Sequence, residues 1–254
     1  MRFNNNNPMP SNQEIISRLQ KSILPLQGFK PLPGDNAPRF GLGPVEAAFP
    51  NGCFPTGAMH ELLSTGLETA AAAGGFMAGI LATLMKNGGA CIWAGMAGTV
   101  FPPALKAFGI APERVIFANL QKEKDVLWVM EEALKCEGLA AVVGEIKEID
   151  FKASRRLQLA VEQSRVTGFM LRNQPRSLNT VACVARWKIT PLSTELEDGM
   201  PGIGLPRWNV ELLKVRNGKP GKWEIEWCAG RFRVVEPEKQ IIWLNASSQY
   251  GSAI

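Results

Sequence analysis

Residues 59–89 contain the side chains and backbone groups best placed to hold an anion. The apolar run 59–63 reads as a buried strand and 64–69 as a turn of small and polar residues. An alanine-rich helix then runs to about Asn87, where Gly88 and Gly89 suit a left-handed helix end. A turn that opens onto a helix N-terminus presents unpaired backbone N–H groups, as a phosphate-binding loop does. Ser64, Thr65, Gly66 and Thr69 are therefore the candidate phosphate-loop residues. The pattern G-x-x-x-x-G-K-[ST] is absent, and Ala70, Ala71 and Ala72 stand where a lysine and a hydroxyl are needed. The loop has the architecture of a nucleotide site without its charge, so neither a cofactor nor a catalytic residue is expected.

Other reactive side chains are sparse. The one histidine, His60, falls inside the predicted strand and is expected to be structural, with a hydrogen-bond partner. Without a second histidine no Ser-His-Asp arrangement can be built away from that strand. The five cysteines, at 53, 91, 136, 183 and 228, form no C-x-x-C pair. No metal site is expected, and buried reduced thiols are the plain reading.

The elements that position the loop follow in order. Residues 1–12 are Asn- and Pro-rich, and an amphipathic helix is expected over 12–24, with Ile15, Ile16, Leu19 and Ile23 on one face. Prolines 25, 31, 33 and 38 then make an extended linker, so residues 1–40 form a tail, helix and tether ahead of one domain over 41–254. That helix is expected to dock on another subunit or a partner; folding back on its own core is the alternative. Within the domain, helical turns or helices are expected at 45–49, after Pro102 and Pro103, at 121–136, and at 150–166 with Asp150 as its cap. Strands are expected at 91–95, 114–118, 139–146 and 168–173. Strand–helix alternation with short connections implies a parallel sheet covered on both faces. After Gln174 the helices stop, and strands at 180–189, 210–217, 222–227, 232–236 and 240–244 imply an antiparallel extension.

Composition sets the class. Hydrophobic residues make up 46% and charged residues 20% of 254, enough apolar material for a sizeable core. The N-terminus lacks the apolar segment of a signal peptide, and no apolar run reaches the length of a membrane span. A cytoplasmic protein without membrane contact is expected. Residues 155–233 hold 14 Lys and Arg against 7 Asp and Glu, so the excess positive charge lies in this segment. Either a polyanion or acidic partner, or an ordinary solvated surface, accounts for it.

Laid out in this order, the chain resembles the RecA core and, more specifically, the ImuA family, RecA-like accessory proteins of bacterial damage-induced mutagenesis; the SulA group is more distantly similar. The resemblance spans about 41–217 and rests on GLGPVEAAFPNGCFPTGAMHEL, HELLS, GLAAVVGEI and GFMLRNQP. It implies a RecA-like P-loop-type α/β fold with a mostly parallel central sheet flanked by helices and an antiparallel C-terminal extension. Its phosphate-binding lysine would match an alanine near Ala70, and its magnesium-associated aspartate would match Gly144. Glu145, one position along the strand, is expected to point to the opposite face. The resemblance implies a sensor-like pair at Asn173 and Gln174. It also implies a nucleic-acid or partner contact in the following segment, at Arg176, Arg186, Trp187 and Lys188; an ordinary strand with Trp187 in the core is the alternative there.

The function so implied is that of a non-catalytic adaptor in translesion synthesis and the SOS DNA-damage response. Its implied partners are an ImuB-type Y-family polymerase relative, an error-prone replicative-type polymerase, RecA and single-stranded DNA. A SulA-like cell-division inhibitor and a weak ATPase with a divergent phosphate loop are the alternatives.

Overall fold

The computed structural model describes residues 11, 12, 14–16, 19, 38–50, 52–96, 100–194 and 204–235. Nine strands form one sheet in the order β3-β2-β4-β5-β1-β6-β7-β8-β9. They are β1 (Met59–Ser64), β2 (Ala90–Gly95), β3 (Val115–Asn119), β4 (Leu139–Ile146), β5 (Thr167–Asn173), β6 (Ala185–Pro191), β7 (Arg207–Val215), β8 (Gly221–Cys228) and β9 (Arg231–Val235). Strands β3 to β6 in that order are all parallel, and β7, β8 and β9 continue the sheet antiparallel. The parallel core with an antiparallel extension is as expected. The strand expected over 180–189 begins only at Ala185, and the one expected at 240–244 lies outside the described residues.

Two helical layers cover the parallel strands, because these strands are apolar on both faces. On one face lies α2 (Leu67–Leu84), which contacts β6 and β1. Beside it are the short α1 (Pro44–Ala47) and a 3-10 helix over Pro102–Phe108. Helix α2 is 18 residues long with a mean hydropathy of 1.4, long and apolar enough by composition to cross a membrane. Here it packs on the sheet. Gly79 permits this close approach: a Cβ there would lie 2.5 Å from the Phe232 ring and 2.9 Å from Trp227. The core on this face joins Phe76, Trp187, Trp208 and Phe232.

On the other face lie α3 (Glu123–Ala133) and α4 (Phe151–Ser164). They bury Val126, Met130, Leu157 and Val161 against Met59, Val142 and Met170. Asp150 caps α4 as expected, its Oδ1 accepting from Ala153 N at 2.6 Å. The cysteines are only partly as expected: Cys91 and Cys183 are buried, whereas Cys136 is exposed and Cys53 and Cys228 are intermediate. Burial pushes the Cys91 and Cys183 thiols up to about 12, which leaves both unreactive at neutral pH.

The N-terminal helix has a reciprocal cap. Ser11 N donates to Glu14 Oε2 at 2.9 Å, and Glu14 N donates to Ser11 Oγ at 3.3 Å. Ile15, Ile16 and Leu19 are 40%, 55% and 55% exposed, and Ile23 lies outside the described residues.

Candidate functional site

Parallel strands bring their C-terminal ends to one edge of the sheet, and there the β1–α2 turn faces the end of β5. Two bonds join these ends. Ser64 Oγ donates to Asn173 Oδ1 at 2.8 Å, and Gln174 N donates to Ser64 O at 2.8 Å. Gln174 adopts a left-handed backbone, φ 53°, as the chain turns away from β5. The predicted loop and the predicted sensor-like pair therefore sit together.

The helix N-terminus is already occupied by its own side chains. Thr69 Oγ1 accepts from Thr65 N at 2.9 Å and from Gly66 N at 3.0 Å, and donates to Gly66 O at 3.0 Å. Two of the amides that a phosphate would use are thus taken. Glu68 places a carboxylate in the first turn, where the helix dipole favours negative charge, and it repels an incoming anion.

In front of this loop lies a cavity of about 980 Å³. Ala70, Ala71 and Gly74 form one wall, Phe101 and Leu105 another, and Trp208 closes it towards β7. No heavy atom lies within 4 Å of where a Gly74 Cβ would be, so the small residues of α2 leave this space open. Leu67 and Phe101 at its rim are 88% and 71% exposed.

The acidic position is reversed from the sequence expectation. Glu145, not residue 144, faces the cavity, where it is 4% exposed and accepts from Trp93 Nε1 at 2.6 Å. Gly144 faces α3 instead, and a Cβ there would lie 1.9 Å from Met130 Sδ. Strand alternation explains both, since β4 sends consecutive side chains to opposite layers. From β4 the site keeps one carboxylate, tied to an indole, and Ala70 supplies no lysine opposite it.

Behind β5 lies a charged cluster that the motif reading missed. Glu61 and Arg172 are both fully buried and paired, with Arg172 Nη1 donating to Glu61 Oε1 at 2.9 Å. Arg186 Nε donates to the other carboxylate oxygen at 2.5 Å. Arg172 also donates to Lys147 O, Asn179 Oδ1, Glu148 Oε2 and Ser177 O, at 3.0–3.2 Å. Glu148 Oε1 accepts from Arg176 N at 2.6 Å, and Asn179 Nδ2 donates to Ile149 O at 2.5 Å. The segment between β5 and β6 is therefore fastened to the sheet through one buried guanidinium. A glutamate within HELL and an arginine within FMLRN, both in strands covered on two sides, were the available signal, because a buried charge requires a partner.

This cluster corrects two of the predicted contacts. Trp187 is 1% exposed and packs in the core against Phe49 and Phe76, so its ring cannot stack on a base. Arg186 is consumed by Glu61 and by Asn179 O. Lys188 stands half-buried opposite Glu211 on the same face of β6 as Arg186, and Arg176 is exposed. The four residues do not form one patch.

His60 is structural. It is fully buried and stacked on Phe54 at 4.5 Å. Its Nε2 lies 2.8 Å from Pro55 O, and Nδ1 accepts from Trp187 Nε1 at 3.4 Å. Both contacts fit a neutral ring protonated on Nε2, and burial pushes its pKa down to about 4.

No family model matches the chain. Its sequence is 34% identical over 199 residues to Protein ImuA from two strains of Caulobacter vibrioides, covering 74% of this chain and 82% of each relative. Among solved structures, a RadB recombinase superposes with a TM-score of 0.54 at 14% identity, over 79% of this chain and 100% of that one. That likeness shows a RecA-like fold. With more than four-fifths of the Caulobacter proteins matched at this identity, the chain belongs to the ImuA family of RecA-like proteins associated with damage-induced mutagenesis.

Proposed function

We propose that this chain is a non-catalytic RecA-like adaptor in translesion DNA synthesis. Its partners in this reading are an ImuB-type Y-family polymerase relative, an error-prone replicative-type polymerase and RecA. One observation carries the proposal: the start of α2 is closed by Thr69 and Glu68, with Ala70 where a phosphate-binding lysine would stand. A triphosphate entering this site meets a carboxylate on the loop and a second at Glu145, with two loop amides already taken. A Mg²⁺–nucleotide complex needs the reverse. The cavity wall is apolar instead, and Leu67, Met96 and Phe101 around it are exposed apolar side chains of the kind that favour protein contact. The exposed face of Ile15, Ile16 and Leu19 offers a second such surface.

The test is co-expression with an ImuB-type polymerase relative and, separately, with the target of a SulA-like division inhibitor. The adaptor reading predicts a stable complex with the polymerase relative whose affinity is unchanged by ATP and Mg²⁺. A complex with the division protein alone would replace it by the SulA-like reading.

A further inference from the structure

We propose that the face of β6–β9 opposite α2 docks the phosphate backbone of nucleic acid without reading base sequence. The pairing register fixes which side chains share this face. Trp187, Trp208, Val210, Ile225 and Phe232 alternate onto the α2 side and are buried. Their strand neighbours point the other way. Arg186 pairs with Lys214, Lys188 with Glu211, and Glu211 with Lys222. Arg207 pairs with Glu226, Glu226 with Arg233, and Cys228 with Arg231. The face therefore carries seven Lys and Arg against Glu211, Glu224 and Glu226, and with Glu61, which is paired to Arg186, the net charge is +3. A large part of the excess charge of residues 155–233 gathers here rather than around Arg176.

Two features favour a polyanion over an acidic protein. First, Arg186, Arg207 and Arg233 are engaged by Glu61, Glu224 and Glu226. Lys188, Lys214, Lys222 and Arg231 have no ion pair among the described residues, and they span four adjacent strands, about 14 Å across. Second, the face lacks the apolar centre that a protein interface needs, with Leu213 at the β-bulge its one exposed large apolar residue. Since the aromatic rings of these strands turn inward, no aromatic ring on the face can stack on bases. Binding is then electrostatic, indifferent to sequence and open to duplex and single strand alike.

Four phosphate contacts predict a salt slope of about −3.6 for duplex and about −2.8 for single strand. Between 50 and 200 mM salt, affinity falls about 150-fold for duplex and about 50-fold for single strand. The experiment is fluorescence anisotropy of the full chain with labelled 30-mers, both forms, across that range. Lys214→Ala should lower the slope by about 1. Lys188→Glu with Lys222→Glu should abolish binding at 100 mM salt, with an unchanged circular-dichroism melt as the check on folding. If the melt falls, Lys214→Ala with Arg231→Ala serves in their place. Lys86→Glu with Lys106→Glu, on the α2 side, should leave binding intact. No DNA binding at 50 mM salt would overturn the proposal, as would equal loss from the α2-side pair. Capture of a polyglutamate peptide with DNA left unbound would assign the face to an acidic protein and overturn it too. None of these readouts depends on the polymerase partner, so this proposal and the adaptor reading fail separately.

Discussion

Replacing Arg172 with alanine tests whether one buried guanidinium holds the segment between β5 and β6. Arg172 is fully buried and bonds Glu61, Glu148, Asn179 and the carbonyls of Lys147 and Ser177. Its removal leaves Glu61, also fully buried, with Arg186 as its remaining cationic partner. Breaking a buried ion pair from one side costs about 3–5 kcal/mol, because the surviving charge has lost its compensation. The freed carbonyls add little to this, since the segment can open and hydrate them. At about 2–4 °C per kcal/mol for a domain of this size, the melting temperature should fall by about 6–20 °C. Thermal melts followed by circular dichroism measure the fall, and limited proteolysis should show new cleavage within 174–184. Arg172→Lys keeps the charge but not the fork, and should lie between alanine and wild type. Glu61→Gln combined with Arg172→Ala should cost less than the two separately. A loss below about 1 kcal/mol for Arg172→Ala, with the segment still protected, would refute the reasoning.

Two further outcomes follow from the cores. His60 is neutral in the fold, its pKa lowered from 6.5 to about 4. The unfolded chain therefore takes up the proton first as pH falls. Its contribution is complete above about pH 6.5 and lost towards pH 4, by about 3 kcal/mol; urea titrations from pH 7.5 to 4.5 should show this fall in wild type and not in His60→Phe. Gly144→Ala should destabilise by about 1–3 kcal/mol because its Cβ meets Met130, and Gly144→Ala with Met130→Ala should cost less than the two separate changes added together.

The sequence was most legible where pattern alone determines structure. β4 and the Asp150 cap fall where periodicity and capping chemistry put them. The loop was legible because Ser64–Thr69 has turn chemistry on both sides of a strand–helix switch. Side-chain direction was less so: Gly144 and Glu145 differ by one position, and a one-residue difference on a strand exchanges the two faces. Trp187 and Arg186 looked like nucleic-acid contacts for the same reason, as adjacent residues that the sheet sends to opposite layers. The Glu61–Arg172 pair joins residues 111 apart in sequence, so no local spacing could reveal it.

In the adaptor role proposed above, this RecA-like site acts without a nucleotide. Titration of ATP with Mg²⁺ into the purified chain, followed by a steady-state phosphate-release assay, tests it directly. The expected result is no saturable binding at millimolar nucleotide and no release above the protein-free blank. Turnover that disappears in Glu145→Gln, the variant lacking the one carboxylate that faces the loop from β4, would contradict it.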